Sequence, residues 1–390
     1  MINSDLYISL MKLNEICEVY SGYAIKEFNN IKKGLPVIKI GNILTDGTLN
    51  LGECQFSTED INEKYHSKKG DIYVALSGAT TGKLGIMEDE KKYIINQRVG
   101  IIRLKQKSVS QSYIKFFLLK QTERIIDEAT GCAQPNISPK QIGEYDVPVF
   151  SEKEMLQISD ILNNIVCVIK HYKAMIKKYD DLIKARFIEM FGRPFINNLN
   201  WESKQIKNVV NEVKYGTSKP SVENGEYKYL RMNNLTYDGR FDLTDLKFIS
   251  LDNDELEKCV VRKGDVLFNR TNSLDLIGKT AEFDFNEDMV IAGYIIRIRL
   301  KETIVPKFFS MYMNTDEMKL HLRTIAKGAV NQANINAQEL QEIPIYLPPI
   351  ELQYQFVNFV RQVDKSREEV KKALEKTQQL YDSLMQEYFG

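Results

Sequence analysis

The chain has 390 residues, 43% of them apolar and 27% charged, and its 53 basic residues are balanced by 53 acidic ones. This composition excludes a disordered chain, and no apolar run reaches the roughly eighteen residues of a transmembrane helix. A net charge of zero argues against a protein that coats nucleic acid indiscriminately, while leaving room for a local basic surface balanced elsewhere.

Five scattered cysteines (Cys17, Cys54, Cys132, Cys167, Cys259) and three histidines (His66, His171, His321) lack the spacing of a disulfide framework or a metal site. Met1 to Leu13 lacks the basic flank and long apolar core of a secretory signal, so a cytoplasmic chain with reduced thiols and no metal is expected. Met11-Lys12-Leu13 reads as a second start, which makes the first ten residues an extension ahead of the folded part.

Along the first half, Lys12 to Ile16 leads through Tyr20-Ser21-Gly22-Tyr23 to Val37–Ile43, which alternates like a strand. A glycine turn follows at Thr45-Asp46-Gly47. Lys68-Lys69-Gly70-Asp71-Ile72 is a second turn feeding a strand, and a polar loop runs from Ser77 to Lys83. A strand from Gly100 to Leu104 and a short amphipathic helix around Tyr113 to Lys120 come next. The half closes through the loop Gln134-Pro135-Asn136-Ile137 and the extended Val147-Pro148-Val149.

From Glu152 to Gly192 apolar residues recur every seven positions. Ile158, Ile165, Tyr172 and Tyr179 form one row, Leu162, Ile169, Ile176, Ile183 and Met190 a second, and Ile161, Val168, Met175 and Leu182 a third. That beat, over about 40 residues or roughly 60 Å, predicts a long helix in a two-helix coil.

The second half repeats the order, as a duplicated chain would. Tyr215-Gly216-Thr217 answers the first glycine motif, Tyr229–Leu235 the first strand, Tyr237-Asp238-Gly239 the turn, and Arg262-Lys263-Gly264-Asp265-Val266 the second turn. Asn269 to Lys279 answers the polar loop, Ile295–Leu300 the strand, Lys307–Met313 the helix, and Gln332-Ala333-Asn334-Ile335 the closing loop. Ile343-Pro344-Ile345 then runs through Pro348-Pro349 into a second heptad helix. Adding 198 to the first helix's rows lands on Phe356, Val363 and Val370, on Val360, Leu374 and Tyr381, and on Phe359, Ala373 and Leu380. The expected helix-pair contacts are therefore Ile158, Ile161, Leu162, Ile165, Ile169, Ile176 and Ile183 against Phe356, Phe359, Val360, Val363, Leu374, Leu380 and Tyr381. The predicted fold class is mixed α/β (α+β), with domains at 1–150 and 193–347 and long helices at 151–192 and 348–390.

Three catalytic readings fail on their residues. Gly78-Ala79-Thr80-Thr81-Gly82-Lys83 is one residue short of a P-loop and is followed by Leu84 where a magnesium-binding hydroxyl belongs. The Glu-x-Lys triplets at Glu90 and Glu226 have no Pro-Asp pair to complete a nuclease site. No glycine-rich S-adenosylmethionine loop or Asn-Pro-Pro-aromatic run marks a methyltransferase.

What remains is two sets of polar loop residues at corresponding places. The first half offers Ser77, Thr80, Thr81, Lys83, Asn96, Gln97, Arg98, Gln134 and Asn136. The second offers Arg270, Thr271, Asn272, Ser273, Lys279, Asn331, Gln332 and Asn334. Arg and Lys match guanine's acceptors, and Asn and Gln match adenine's donor and acceptor pair, so these loops are candidate base readers.

In this order the sequence resembles the specificity subunit of a type I restriction-modification system, from Met11 to Gly390. The marks are Ser21-Gly22-Tyr23, the Lys-Gly-Asp turns at Lys69 and Lys263, the Asn-Ile-Ser and Asn-Ile-Asn stretches at Asn136 and Asn334, the Pro348-Pro349-Ile350-Glu351 lead-in, and the Phe-Gly helix ends at Phe191 and Phe389. The first half departs in having Phe150-Ser151-Glu152 for its lead-in. The resemblance implies two tandem target recognition domains related by a pseudo-two-fold repeat, held apart by helices packed as an antiparallel coiled coil. It also implies a non-catalytic reader of a bipartite double-stranded DNA target. Two modification subunits carrying S-adenosylmethionine, and restriction subunits where present, would be its partners, with no cofactor in this chain. The rival readings are a coiled-coil scaffold that ignores DNA and a stand-alone nuclease or methyltransferase.

Overall fold

The structure, a computed structural model, describes residues 9–105, 109–130, 135–329 and 331–390. The chain falls into two compact units, one of Met1–Lys173 with Lys372–Gly390 and the other of Ala174–Lys371. The long helices, expected to stand as segments of their own, are instead each shared between the two units.

In the first unit a four-stranded antiparallel sheet runs in the order Cys17–Ser21, Val99–Leu104, Ile72–Ala75, Leu84–Ile86. A three-stranded sheet places Leu35–Ile38 between Gln55–Ser57 and a parallel Ile94–Ile95. Ser9–Lys12 pairs with Asp146–Val149, so Ser9 and Leu10, expected to precede the fold, are part of its edge. The second unit repeats the main sheet as Val210–Tyr215, Ile295–Leu300, Val266–Asn269, Thr280–Glu282. It repeats the smaller sheet around Tyr227–Leu230, again with a parallel neighbour, Met289–Ile291. The duplication read from the residues is thus a duplication of strand order.

The strands expected over Val37–Ile43 and Tyr229–Leu235 stop early, at Ile38 and Leu230. In each case a buried asparagine takes over the backbone. Asn42 accepts from the Lys39 amide and donates to Asn50 O, both at 2.9 Å, and Asn234 does the same with Arg231 and Asp242. Such local side-chain bonds compete with the ladder and bend the chain into a 3₁₀ turn. The two Lys-Gly-Asp turns are also structural. Asp71 accepts from the Lys68 amide at 2.8 Å and Asp265 from Arg262 at 2.9 Å, around glycines with φ of 97° and 94°.

Both long helices have 40 residues, Glu152–Phe191 and Ile350–Phe389. The unusual lead-in of the first is a capping box: the Ser151 hydroxyl accepts from the Glu154 amide and the Glu154 carboxylate from the Ser151 amide. Within the second unit Phe187 and Phe191 meet Phe356, each with ring centroids 5.4 Å apart, while Asp180 pairs with Arg367 at 3.3 Å. Rising numbers on one helix meet falling numbers on the other, which makes the pair antiparallel. Within the first unit Ile158 and Leu162 share a core with Met385, Tyr388 and Phe389.

Of the expected interface, Ile158, Leu162, Ile169, Ile183, Phe356, Val360 and Val363 are buried, and Ile165, Ile176, Phe359, Leu374 and Tyr381 half-buried. Ile161 and Leu380 are not part of a buried seam, at 39% and 51% exposure, and Val168, Met175 and Leu182 are exposed beside Ile161 on the same row. A two-helix contact buries about two rows of each heptad, so a third row is left facing outward. Among the described residues, no helix is long and apolar enough to cross a membrane, and no three His, Cys, Asp or Glu side chains gather as metal ligands.

Candidate nucleic-acid interface

The polar loops gather where the central strand of each main sheet ends. In the first unit Leu76 donates its amide to Arg98 O and accepts from the Ile137 amide, both at 2.9 Å, so the loops at 96–98 and 135–138 flank the end of Ile72–Ala75. Ser77, Gln97, Arg98 and Asn136 thereby line one open cleft together with Ser21 and Ser138. Gln97, Arg98 and Asn136 are exposed, and the Ser77 hydroxyl is buried without a partner.

The other first-half candidates separate from this group. Thr81 donates its hydroxyl to Gly78 O at 2.7 Å and holds its own turn. Asn96 accepts from the Arg98 amide at 3.2 Å and shapes the neighbouring loop. Thr80 has a buried hydroxyl without a partner, Lys83 lines a different cleft, and Gln134 lies outside the described residues. The P-loop-like stretch cannot cradle a phosphate, because the amides of Gly78, Thr81, Gly82 and Lys83 already donate to Pro135, Gly78, Ala75 and Thr80 carbonyls.

The second unit builds the same frame. Arg270 donates its amide to Tyr294 O and accepts from the Ile335 amide, both at 2.9 Å. Thr271–Asn272 pairs with Gln332–Asn334, which pairs in turn with Lys327–Ala329 to make a small three-stranded sheet. This brings Arg270, Thr271, Asn272, Gln332 and Asn334 together, with Asn331 and Gln332 exposed at the turn side. The Arg270 guanidinium lies 4.8 Å from the centre of the Tyr215 ring, a cation–π contact that orients it. The Asn272 amide donates to Asn269 Oδ1, and Asn272 Oδ1 accepts from the Ser273 amide, both at 2.9 Å, so Asn272 braces its loop. Lys279 is turned inward and buried, its ammonium 3.4 Å from Met232 O and its pKa pulled down by burial. As placed, it is no base reader.

Two residues at this frame carry no polar-loop signal. Tyr215 supports Arg270, and its hydroxyl accepts from the Ala337 amide at 2.9 Å. Tyr294 is exposed at the place that Arg98 holds in the first unit. Matching the loops residue by residue across the repeat would have found both.

Residues 8–178 and 198–378 each match the family described as type I restriction modification DNA specificity domain. The chain is 22% identical over 415 residues to the type I restriction enzyme EcoBI specificity subunit of Escherichia coli, covering 97% of this chain and 85% of that one. It is 23% identical over 381 residues to the StySPI specificity subunit of Salmonella potsdam, covering 91% and 81%. Among solved structures, the S subunit of a type I restriction-modification system from M. genitalium aligns with a TM-score of 0.59 at 16% identity, covering 100% of this chain and 98% of that one. A chain from a structure on the assembly and conformational transition of the type I R-M system gives 0.62 at 14%, covering 99% of each. At those identities the two structures speak for the fold.

Proposed function

The chain belongs to the type I restriction modification DNA specificity family, and on that premise we propose that each of its two units reads one half of a bipartite double-stranded DNA target. A specificity subunit recognises DNA and is not itself an enzyme. The observation that carries the bipartite reading is that one backbone frame, built twice, bears different side chains at the same places: Leu76 against Arg270, Ser77 against Thr271, and Arg98 against Tyr294. Equal frames with unequal side chains suit two readers of unequal sequences. Arg98 and Arg270 offer the fork that fits guanine, and Gln97, Asn136, Gln332 and Asn334 offer amides for other base edges.

Phosphate contacts would come largely from partners, which suits a chain of zero net charge. Those partners are two modification subunits, which would hold S-adenosylmethionine and methylate adenine, and a motor-nuclease subunit would complete a restriction enzyme. The outward heptad row supports docking of partners on the central helix: Ile161 and Val168 are exposed in the first unit, Met175 and Leu182 in the second. The helix pair would also set the half-site spacing. One added heptad lengthens a helix by about 10 Å, and so changes the unread spacer by up to about three base pairs.

Methylome sequencing of cells carrying the chain and its modification subunit tests the reading. Exchange of residues 11–150 for another recognition domain should change one half of the methylated motif and leave the other. A change in both halves defeats independent reading, and the absence of any mobility shift of DNA, with or without the modification subunit, would leave only a protein scaffold.

A further inference from the structure

The two units differ sharply where a turn faces the long helices. In the second unit Arg240, on the turn after Asp238-Gly239, is latched to Asp180 at 2.8 Å and Asp364 at 3.4 Å, one carboxylate from each helix. Only a cavity of about 180 Å³ is left there, and its rim is neutralised by Lys184–Asp316 and Arg193–Glu317 pairs. The repeat gives the first unit Thr48 for Arg240, Gln378 for Asp180 and Val166 for Asp364. No latch can form, and an open cleft of about 1150 Å³ takes its place, wholly within that unit.

The lining of this cleft combines apolar wall with a small excess of basic groups. Leu44, Leu49, Leu119, Ile126, Val166 and Tyr381 are apolar groups left exposed or half-buried in its wall. Lys83, Lys115, Lys170 and Lys173 surround them, and among the described residues none of the four forms an ion pair. The three carboxylates present keep their charge: Asp46 is held by Thr48 and feels Lys170, Asp89 is held by Lys91 N and Tyr93, and Glu88 acts on Lys115, so the lysines exceed them by one. Lys115 lies against the Phe116 ring at 4.8 Å, and burial together with neighbouring Lys170 holds its pKa below the ordinary lysine value, against a smaller opposing pull from Glu88. A desolvated, unpaired cation beside apolar wall is a cost that a carboxylate on an apolar peptide would relieve.

We propose that the cleft of the first unit, and not its counterpart in the second, receives an acidic polypeptide segment of a partner protein, with large apolar side chains in the wall and Asp or Glu on the four lysines. Duplex DNA is the poorer occupant, because phosphates would meet the lysines but leave the apolar wall uncovered. The asymmetry matters for assembly: a chain duplicated in fold offers this contact once. The proposal does not depend on which DNA sequence is read.

The test selects a random displayed-peptide library on the full chain, with the latch graft T48R/V166D/Q378D as the counter-selecting surface. Survivors should be rich in Asp and Glu between large apolar residues. As synthetic peptides they should bind the graft, and separately the K115Q/K170Q/K173Q chain, roughly tenfold more weakly, about 1.4 kcal/mol. The second variant alters only lysine head groups, so it keeps the test decisive should the graft fold poorly. Absence of survivors, survivors without acidic bias, or binding unchanged by the lysine substitutions each overturns the proposal. Loss of random-duplex DNA binding in the lysine variant, with no effect on peptides, assigns the cleft to DNA instead.

Discussion

The Thr271 hydroxyl donates to Asn334 Oδ1 at 2.9 Å, joining two residues that also face each other across the paired strands Thr271–Asn272 and Gln332–Asn334. The bond takes one of the two lone pairs of the Asn334 amide oxygen and holds that oxygen toward Thr271, leaving the two amide donors for a base. Adenine reading by asparagine needs both donor and acceptor. Thr271→Val, which keeps shape and removes the hydroxyl, frees that acceptor. The second unit's half-site should then shift toward adenine at one position, by about 1–3 kcal/mol of discrimination. Methylome sequencing of cells carrying the variant reads this directly, and an unaltered motif would remove Asn334 from the reading set.

Gly22 and Gly216 occupy the same point of the two frames, and a side chain at either would collide with backbone. A Cβ on Gly22 would lie 2.3 Å from Ile95 O and 2.4 Å from Asn96 O; on Gly216 it would lie 2.2 Å from Ile291 O and 2.4 Å from Ala292 O. These carbonyls belong to the strand ends that carry the reading loops, so they cannot step aside cheaply. Gly22→Ala and Gly216→Ala should each cost about 2–3 kcal/mol, seen as an earlier melt. Gly41→Ala, which meets nothing within 4 Å, is the matched control and should melt with the parent.

The repeat, the helix limits and the order of elements were legible because periodicity and spacing are local properties of a chain. The direction a side chain takes is not. Three apolar rows tell of a buried stripe but not which row faces outward, and so the seam expected at Ile161 and Leu380 is not found there. Lys83 and Lys279 are polar and in loops, yet one lines another cleft and the other is buried. The Arg240 latch joins residues far apart in the chain, and Tyr294 is an aromatic among expected amides; neither has a local signal.

Asp71 and Arg103 form a two-pronged pair, with both nitrogen to oxygen distances 2.7 Å and the carboxylate wholly buried. The same place in the second unit holds Asp265, Arg299, Glu212 and the fully buried Arg297. Asp71→Ala would leave a mostly buried guanidinium unpaired and open the Lys-Gly-Asp turn, a loss of about 3 kcal/mol. Residue-resolved hydrogen exchange assigns the loss to one unit, which a melt of the whole chain reports only in sum. Protection should fall in the first unit's main sheet and hold in the second's. Uniform loss across both units would show that their stabilities are coupled.

Lys319 is buried, with its ammonium donating to Gly278 O at 2.7 Å, and burial, aided by Lys279 and Arg323, pulls its pKa down to about 7. The unfolded chain keeps this proton up to the ordinary lysine value of 10.5, so above pH 7 it binds more protons than the folded one. Stability from this group therefore rises with pH from about 7 toward 10.5, and the full penalty is present below 7. From pH 7 to 9 the gain is about 2 kcal/mol. Lys319→Met should remove the penalty without orphaning the carbonyl, because the Thr280 hydroxyl also donates to Gly278 O at 3.0 Å. Denaturant unfolding of parent and variant should show the variant ahead at pH 7 and the gap narrowing by about 2 kcal/mol at pH 9. A gap that is constant with pH would mean that Lys319 stays charged in the fold, with water or Asp238 meeting its cost.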